Sequence, residues 1–415
     1  MGPFGSNITA DNFVDSGVPV IQGRQLNSLF LEEVDYRFLT PQKAGTLKNS
    51  KAVKRDVIIT HRGTIGQVGI IPDDSEYEEY IVSQSQLKFT IDQNICDPFF
   101  VYYFLRSHIG QYELLKNTTS VGVPAIATPT ASVKKINIPF PKLSIQQKIS
   151  TNLKMIDLSI LKNKKTGKTS QEIISALFRS WFIDFDPVKA KSEGKLPYGM
   201  DEGTAALFPN SFEDSEHGTL PNGWRWGTIL DVSKIWTGGT PKTSESSYWG
   251  GDIPWVSGAD LSSNDLFAFD SARKITSLGV QKSSTKILPV GTVMITARGT
   301  VGATKITAVP MAMSQTSFGF KAKKGISDAL VYLASQETIR QLRSFAYGAV
   351  FDTFTQSTID ITKIAIAPME VLQAFGKIVD PLFEAMKNSA KETIELSSTR
   401  DALLPRLMSG ELLVN

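Results

Sequence analysis

The sequence predicts an α+β protein in which two globular mixed α/β domains are separated by two long antiparallel helices that form a coiled coil. Three observations support this fold class. Apolar residues recur at spacings of three and four over residues 143–182. A second stretch with the same spacing begins near residue 371 and closes the chain. Short motifs from the first half return in the same order in the second half, which predicts an internal repeat with pseudo-two-fold symmetry.

The first long helix is predicted over residues 143–182. Its apolar stripe consists of Ile149, Leu153, Ile156, Ile160, Ile174, Leu177 and Trp181. At about 1.5 Å per residue, about 35 residues of helix make a rod of roughly 50 Å. Gly167 lies in the basic patch that interrupts the stripe, and it marks the position where a kink is expected.

The second long helix is predicted over residues 371–415 and carries a heptad seam with three polar gaps. The seam consists of Leu372, Phe375, Val379, Leu382, Met386, Ser389, Thr393, Leu396, Arg400, Leu403 and Leu407. Neither helix can bury its stripe alone, so we expect the two to pack on each other. The alternative is that each helix lies on its own domain.

The repeat divides the chain into domains. We predict a first domain over 1–142, a central helix over 143–183, a linker over 184–223, a second domain over 224–370 and a C-terminal helix over 371–415. The clearest pair of motifs is VIITHRGTIG at 57–66 and VMITARGTVG at 293–302. The linker is rich in Asp, Glu, Pro and Gly and shows no period, although Leu207 and Phe208 are expected to order part of it.

Composition and motifs exclude several classes of protein. The net charge is only +3, so a nucleic-acid footprint would have to be local. Cys96 is the only cysteine, which rules out a disulfide within the chain and fits a reducing cytoplasm. No two histidines have the spacing of metal ligands, and no nucleotide-binding or hydrolase motif is present. The motifs therefore reveal no self-contained active site.

Several segments resemble the specificity subunits of type I restriction–modification enzymes. In the second half these are LPNGWRW (220–226), GGTPKTSESSYWGGDIPWVSGADL (238–261), ITSLGV (275–280), LPVGTVMITARGTVG (288–302) and MSQ (313–315). In the helices they are ALFRSWFIDFDPVKAKSEG (176–194) and RDALLPRLMSGEL (400–412). In the first half they are GPFGS (2–6), RGTIG (62–66) and IPFPKLSIQQK (138–148). The resemblance covers nearly the whole chain.

The resemblance implies a non-catalytic subunit with two target-recognition domains, each reading one half of a split DNA site. Its helices would bind two copies of an adenine-N6 methyltransferase subunit, and a restriction and translocation subunit would complete the enzyme. S-adenosylmethionine, ATP and Mg²⁺ would be bound by those partners and not by this chain. One departure concerns the first domain. It lacks a segment like 223–230, so we expect it to be N-terminally short. Either the start is misassigned or truncated, or the domain is genuinely shorter, and its sheet edge would then be open and its DNA binding weakened.

Candidate DNA-binding residues fall into two groups. Shared positions are Arg62 with Arg298, Thr64 with Thr300, and Gln84 with Gln315. The arginines suit either a phosphate contact or a structural role, and the glutamines either a scaffold role or adenine recognition. Base readers should lie where the domains differ, and each candidate is otherwise an ordinary surface residue. These candidates are Arg24, Gln25, Lys43 and Lys48 in the first domain, and Lys242, Ser244, Lys282 and Lys286 in the second.

Apolar residues end both long helices. Trp181, Phe182 and Phe185 end the first, and Leu403, Leu404 and Leu407 end the second. They pack either in the protein's own core or against the methyltransferase subunits. Lysines at 162, 164, 165 and 168 are either phosphate contacts to spacer DNA or a solvated face.

Together these observations predict a subunit that binds a bipartite, asymmetric DNA site. A rod of roughly 50 Å would set two domains on successive faces of a duplex that repeats every ~34 Å. Two other classes of function remain open. One is a complete restriction enzyme with a nuclease site that the motifs do not reveal. The other is a coiled-coil scaffold that binds only proteins.

Overall fold

The computed structural model describes residues 7–119, 122–263, 265–298, 301–345 and 355–412. The chain divides into two compact units. Unit 1 comprises Met1–Lys162 together with Thr393–Asn415, and unit 2 comprises Asn163–Glu392. Each unit combines β-sheets with helices, and a long helix links the two along the chain. This architecture confirms the predicted α+β class.

Unit 1 is built on two sheets. Its strands are β1 Phe13–Val14, β2 Val18–Ile21, β3 Arg37–Leu39, β4 Lys51–Ala52, β5 Val57–Thr60, β6 Val68–Ile70, β7 Tyr80–Val82, β8 Gln86–Phe89, β9 Thr118–Thr119 and β10 Ala125–Ile126. Its helices are α1 Pro41–Thr46, α2 Pro98–Arg106, α3 His108–Leu115, α4 Pro129–Val133 and the first part of α5 Leu143–Phe182. The strand orders are β1-β3-β2-β7-β4 and β6-β5-β8, and β9 pairs with β10.

Helix α2 lies in the core of unit 1 because its sequence, PFFVYYFLR, is apolar on every side. Its start is fixed by Asp97, whose carboxylate accepts the N–H of Phe100 at 2.8 Å, and by Pro98 in the first turn. Tyr102 and Phe104 are fully buried. The helix therefore forms the surface on which the β6-β5-β8 sheet packs.

Unit 2 is likewise built mainly on a five-stranded and a three-stranded sheet. Its strands are β11 Phe212–Glu213, β12 Leu220–Pro221, β13 Arg225–Gly227, β14 Ser233–Thr237, β15 Trp249–Val256, β16 Phe267–Ala268, β17 Arg273–Ile275, β18 Val293–Thr296, β19 Thr304–Thr307, β20 Ala312–Met313, β21 Ser317–Ala322 and β22 Ile364–Ile366. Its helices are α6 Asp186–Ser192, α7 Glu202–Ala206, α8 Ile229–Val232, α9 Gly258–Leu261, α10 Ser277–Gln281, α11 Asp328–Phe345, α12 Gln356–Ile361 and the first part of α13 Met369–Ser409. The main strand orders are β14-β21-β18-β19-β16 and β17-β15-β20.

The two units share one strand topology, which confirms the internal repeat. In unit 1, β5 pairs antiparallel with β6 and β8, and β2 runs parallel to β7. In unit 2, β18 pairs antiparallel with β19 and β21, and β15 runs parallel to β20. Corresponding backbone hydrogen bonds also match. The N–H of Thr60 donates to Gln67 and that of Thr296 donates to Ala303, both at 3.0 Å.

The repeat is not complete at the sheet edges. In unit 2, β21 pairs with β14 on the side away from β18, and β19 pairs with β16. Within the part of the chain that the structure describes, β8 pairs only with β5, and β6 likewise pairs only with β5. The sheet of unit 1 therefore has an edge at β8 where its counterpart in unit 2 is extended by a further strand.

Both long helices are continuous. Helix α5 has the predicted bounds and passes through Gly167 without a break. Helix α13 begins two residues earlier than predicted, at Met369. Because α5 leads from unit 1 into unit 2 and α13 leads back, the two helices run in opposite chain directions. Each unit buries one part of each helix, so the helices pack both on each other and on the domain around them.

The segment 184–223, predicted as a linker, is more ordered than its composition suggests. It contains α6, α7, β11 and β12. Val188 and Phe208 are buried in the core of unit 2, and the rings of Phe208 and Trp181 are 5.0 Å apart. Leu207, which was expected to help order the segment, is 38% exposed. A few apolar side chains are therefore enough to fix a stretch that has no regular period.

Candidate nucleic-acid interface

The loop that follows β5 begins with Arg62 and is shaped by two glycines. Gly63 and Gly66 both have φ of +88°, a conformation that favours glycine. The Nε2 of Gln111 on α3 donates to the carbonyl of Gly66 at 3.0 Å. Gly302 stands at the corresponding place in unit 2, with φ of +87°, and packs against Ile339 on α11. The glycines of the repeated motif therefore fix the backbone, and Arg62 and Arg298 remain exposed.

A second turn lies beside this loop in each unit. The N–H of His61 donates to the carbonyl of Ser85 at 2.9 Å, and the N–H of Ala297 donates to that of Thr316 at 2.7 Å. These bonds hold the exposed Gln84 and Gln315 next to the arginine loops. In unit 1 we call the surface formed by 62–66 and 83–86 the RGT face. In unit 2 the RGT face is formed by the described residues around Arg298 and by 314–317.

The imidazole of His61, which precedes the RGT loop of unit 1, is neutral. Burial lowers the pKa of His61, although its hydrogen bond to the Gln84 carbonyl opposes this effect. The distance from Nε2 to that oxygen is 3.1 Å, so the neutral ring donates from Nε2. The positive charge on this face is therefore that of Arg62 and not of the imidazole beside it.

Two further segments of unit 2 converge on its RGT face. The N–H of Gly239 and the hydroxyl of Thr285 both donate to the carbonyl of Met313, at 3.0 and 3.3 Å. Thr240 also donates its hydroxyl to Gln315. The segments that contain Lys242 and Ser244, and Lys282 and Lys286, therefore flank the turn at 314–317. All four of these predicted base readers are exposed.

The predicted base readers of unit 1 differ from one another in exposure and hydrogen bonding. Arg24 and Lys48 are exposed and Lys43 is half-buried. The guanidinium of Arg24 donates to the carbonyl of Asp35. Gln25 is fully buried, with its Nε2 donating to Val34 and its Oε1 accepting from the N–H of Gln22, both at 2.9 Å. The proposal that Gln25 contacts DNA is wrong, because its polar atoms are already used inside the unit. Thr64 is exposed, and Thr300 lies outside the described residues.

The predicted docking residues are largely buried. Trp181 and Phe182 are 4% exposed and lie in the core of unit 2, while Leu404 and Leu407 are 8% and 5% exposed in the core of unit 1. Phe185 and Leu403 are half-buried. Burial leaves the first four side chains with almost no surface for a partner, so their repeated pattern reflects repeated packing. The four lysines at 162, 164, 165 and 168 are exposed.

Sequence reasoning missed one pair of contacts. The guanidinium of Arg37 lies over the ring of Phe13 at 5.1 Å, and that of Arg273 lies over the ring of Trp249 at 3.6 Å. A signal was present, because the two arginines and the two aromatic residues are each 236 positions apart (273 − 37 and 249 − 13). The same offset separates Arg62 from Arg298 (298 − 62).

The described residues offer no other obvious chemistry. None of them forms a group of three or more His, Cys, Asp or Glu side chains that could hold a metal ion. The acidic residues Asp73, Asp74 and Glu76 are exposed in and beside a turn, and Asp73 is paired with Arg55 and Lys154. Across the same residues, no helix combines the length and apolar character needed to cross a membrane.

The comparison with known families decides the classification. Residues 5–169 and 221–396 match the type I restriction modification DNA specificity domain. The chain belongs to the family of type I restriction–modification specificity subunits. The two matched segments correspond to the two halves of the repeat, and the resemblance seen in the sequence is confirmed. As a specificity subunit, the chain is the non-catalytic component of such a system.

Individual relatives agree with this classification. The type I restriction enzyme HindI specificity subunit of Haemophilus influenzae is 26% identical over 406 residues, covering 87% of this chain and 88% of its own length. The MjaIX specificity subunit of Methanocaldococcus jannaschii is 24% identical over 365 residues, covering 87% and 78%. The fold is similar to a crystal structure of the S subunit from M. genitalium. The TM-score is 0.59 at 14% identity, over 96% of this chain and 94% of that one.

Proposed function

We propose that this specificity subunit recognises a bipartite, asymmetric DNA site and that each unit reads one half of it. The observation that carries the proposal is the RGT face, which has the same backbone frame in both units but different surroundings. In unit 2, the segments 242–244 and 282–286 flank this face. In unit 1, the candidate reader Arg24 instead follows the end of strand β2. A shared frame with divergent flanks is what two readers of different half-sites require.

Within each face, we assign positioning and reading to different residues. Arg62 and Arg298 occupy the same place in both units, so their contacts should be independent of sequence and directed to phosphates. Gln84 and Gln315 support the same turn in both units. The base readers are then the exposed residues that differ between the units. They are Arg24, Lys43 and Lys48 for one half-site, and Lys242, Ser244, Lys282 and Lys286 for the other.

The long helices have a proposed role in setting the spacer between the half-sites. They contain 40 and 41 residues, which corresponds to about 60 Å each at 1.5 Å per residue. We also propose that their exposed apolar residues dock two methyltransferase subunits. Met155 and Leu158 on α5 are 63% and 46% exposed, and Ile173 is 43% exposed. Because Met155 and Leu158 are three residues apart, they are neighbours on one face of α5, and an exposed apolar patch of this kind suits a protein interface.

The partner subunits would supply the cofactor binding and the catalysis. The methyltransferase subunits would bind S-adenosylmethionine and extrude the target adenine, and a restriction and translocation subunit would use ATP and Mg²⁺. The cytoplasm, where the DNA is, is the expected location.

The first experiment is to co-express the chain with the methyltransferase subunit encoded beside it, measure the mass of the complex, and map methylated adenines in the host DNA. We expect two methyltransferase subunits per chain and one gapped methylated motif. Lys48→Ala should then alter recognition of one half only, and Lys242→Ala that of the other. A complex whose single variants change both halves together would contradict the assignment of one unit to each half.

The two other classes of function give different results in the same experiment. DNA cleavage by the purified chain with Mg²⁺ alone would favour a complete nuclease. A stable complex without DNA binding would favour a scaffold. Lengthening both helices by the same number of turns should change the spacer and leave the half-sites unchanged, and the opposite result would contradict the proposed role of the helices.

A further inference from the structure

The same cation–π contact occurs in both units at the same place in the strand topology. Phe13 is paired with Leu39 between β1 and β3, and Trp249 is paired with Ile275 between β15 and β17. The two arginines lie on β3 and β17, where Arg37 and Arg273 are opposite Val20 and Trp255. Trp255 adds a second ring, 5.5 Å from the Arg273 guanidinium. The contact has therefore kept its register although the residues around it differ.

Both arginines differ from the structural arginines of the described chain in their lack of a charged or hydrogen-bonding partner. Among the described residues, neither Arg37 nor Arg273 has a hydrogen bond or an ion pair through its guanidinium, and both are exposed. Arg106 shows what a structural arginine looks like in the same protein. It also lies over an aromatic ring, that of Tyr102, but its Nη1 donates to the carbonyl of Ser28 and to the Tyr102 hydroxyl. Among the described residues, the guanidinium groups of Arg37 and Arg273 have no such hydrogen-bond partner.

Both arginines lie beside the RGT face. In unit 1, a single cleft is lined by Arg37 and Phe13 together with Gln22, Gly23 and the turn 83–86. In unit 2, the Nε1 of Trp255 donates to the carbonyl of Gly239 at 2.9 Å, and Gly239 in turn donates to Met313, next to the turn 314–317. The cation–π pairs are thus continuous with the surface proposed to meet DNA.

We propose that Arg37 and Arg273 are equivalent phosphate anchors, each holding one backbone phosphate of its half-site. This inference rests on the proposed DNA-binding function. An aromatic ring stacks against the flat face of a guanidinium and leaves its N–H edge free to donate two parallel hydrogen bonds to a phosphate. Stacking also restricts the long side chain before binding, which reduces the entropy lost on contact.

A phosphate is a better candidate than a base for two reasons. The contact is present in both units, whereas base readers should differ between domains that read different half-sites. The chain also has a net charge of only +3, so DNA affinity must come from locally uncompensated cations such as these. A phosphate contact would place the RGT face on the duplex without influencing which bases are read.

The test measures salt dependence in the complex with the methyltransferase subunit. Dissociation constants for a duplex with the methylated motif and for an unrelated duplex are measured over a range of KCl concentrations. For Arg37→Gln and Arg273→Gln, we expect weaker binding to both duplexes. The slope of log K against log salt should be shallower by about 0.9 for each lost phosphate contact, and the double variant should lose about twice as much. The methylated motif should be unchanged.

Matched controls separate this effect from a change in net charge. Arg406 in unit 1 and Arg340 in unit 2 are exposed arginines paired with Glu411 and Glu337. Arg406→Gln and Arg340→Gln remove the same charge, and their salt slopes should remain those of the wild type. Phe13→Leu keeps the charge of Arg37 but removes the aromatic ring that it stacks on. This variant should therefore bind both duplexes more weakly, with an unchanged slope of log K against log salt.

Three outcomes would overturn the inference. One is a wild-type salt slope in Arg37→Gln and Arg273→Gln, with only the melting temperature lowered, which would indicate a structural role. Another is an altered methylated motif, which would indicate base reading. The third is an equal loss of slope in the control variants. If the wild-type complex itself fails to bind the motif in preference to unrelated DNA, the proposed function is wrong, and that result is distinct from the other three.

Discussion

Asp157 and Arg400 form a buried ion pair inside unit 1, with 2.9 Å between Oδ1 and Nη1. The side chain of Asp157 is 1% exposed, and its other oxygen accepts the hydroxyl of Tyr103 at 2.9 Å. Burial, and next the nearby carboxylate, raise the pKa of Tyr103 well above its usual range, so this hydroxyl remains a donor. Because Asp157 lies on α5 and Arg400 on α13, the pair fixes the register of the two helices within this unit.

Replacing Asp157 with Ala should destabilise the protein strongly. The change leaves the Arg400 charge largely buried without its partner, and losses of about 3–5 kcal/mol are usual for a buried ion pair broken on one side. Asp401 provides a control, because it pairs with the same arginine from an exposed position. Asp401→Ala should cost less than about 1 kcal/mol. Thermal unfolding of the two variants compares them, and equal losses would contradict a structural role for the buried pair.

The long helices show what a one-dimensional pattern predicts well. The bounds of α5 follow from the spacing of its apolar residues, since the same spacing resumes after the basic patch around Gly167. Arg400 was identified only as a polar gap in the seam of α13. Its partner could not be predicted, because Asp157 is 243 residues away in sequence and a polar residue between apolar ones gives no indication of what it contacts. Periodicity predicts a buried face but not the partner that neutralises a charge within it.

The stability of unit 1 should depend on pH through His61. Burial lowers the pKa of His61 in the folded state, whereas the unfolded chain should have a value of about 6.5. The unfolded state then binds the proton more readily, so stability should fall as the pH drops below about 6.5 and should be unaffected by this group above that value. Ala297 occupies the corresponding position in unit 2, which makes His61→Ala a natural comparison. Urea unfolding at several pH values between 5 and 8 should show a weaker pH dependence in His61→Ala. An equally steep dependence in both proteins would show that other groups are responsible.

Gln25 should prove to be a structural residue. Its side chain bridges Val34 and Gln22 from a fully buried position. Gln25→Ala removes two part-buried hydrogen bonds, to the carbonyl of Val34 and from the N–H of Gln22, which should cost about 1–3 kcal/mol. The methylated motif should not change. Its neighbour Arg24 is exposed and is the matched control, since Arg24→Ala should have little effect on stability. A changed motif in Gln25→Ala, with normal stability, would restore it as a DNA contact.

The interface residues were harder to predict than the helices, for a physical reason. Glycine readily adopts positive φ, and the structure shows it at Gly63, Gly66 and Gly302 of the repeated motif. Exposure is a different matter. Gln25 follows the exposed Arg24 and is of a polar residue type that is usually exposed, but its side-chain amide is buried and hydrogen-bonded inside the unit. The Phe13–Arg37 pair joins β1 and β3, which have β2 between them in the chain, so only alignment of the two halves of the repeat would have indicated it.

Two classes of apolar residue on the long helices should respond differently to substitution. Trp181→Ala removes a side chain that packs against Phe208 and Phe375, and such core truncations cost about 3–5 kcal/mol. Met155→Lys and Leu158→Lys alter exposed positions, so they should leave the melting temperature unchanged and weaken binding of a methyltransferase subunit. Ile95→Lys is the control for the added charge, because Ile95 is 59% exposed and lies outside both long helices. The mass of the complex after gel filtration distinguishes these cases. Normal assembly with Met155→Lys and Leu158→Lys combined would exclude this part of α5 as a docking surface.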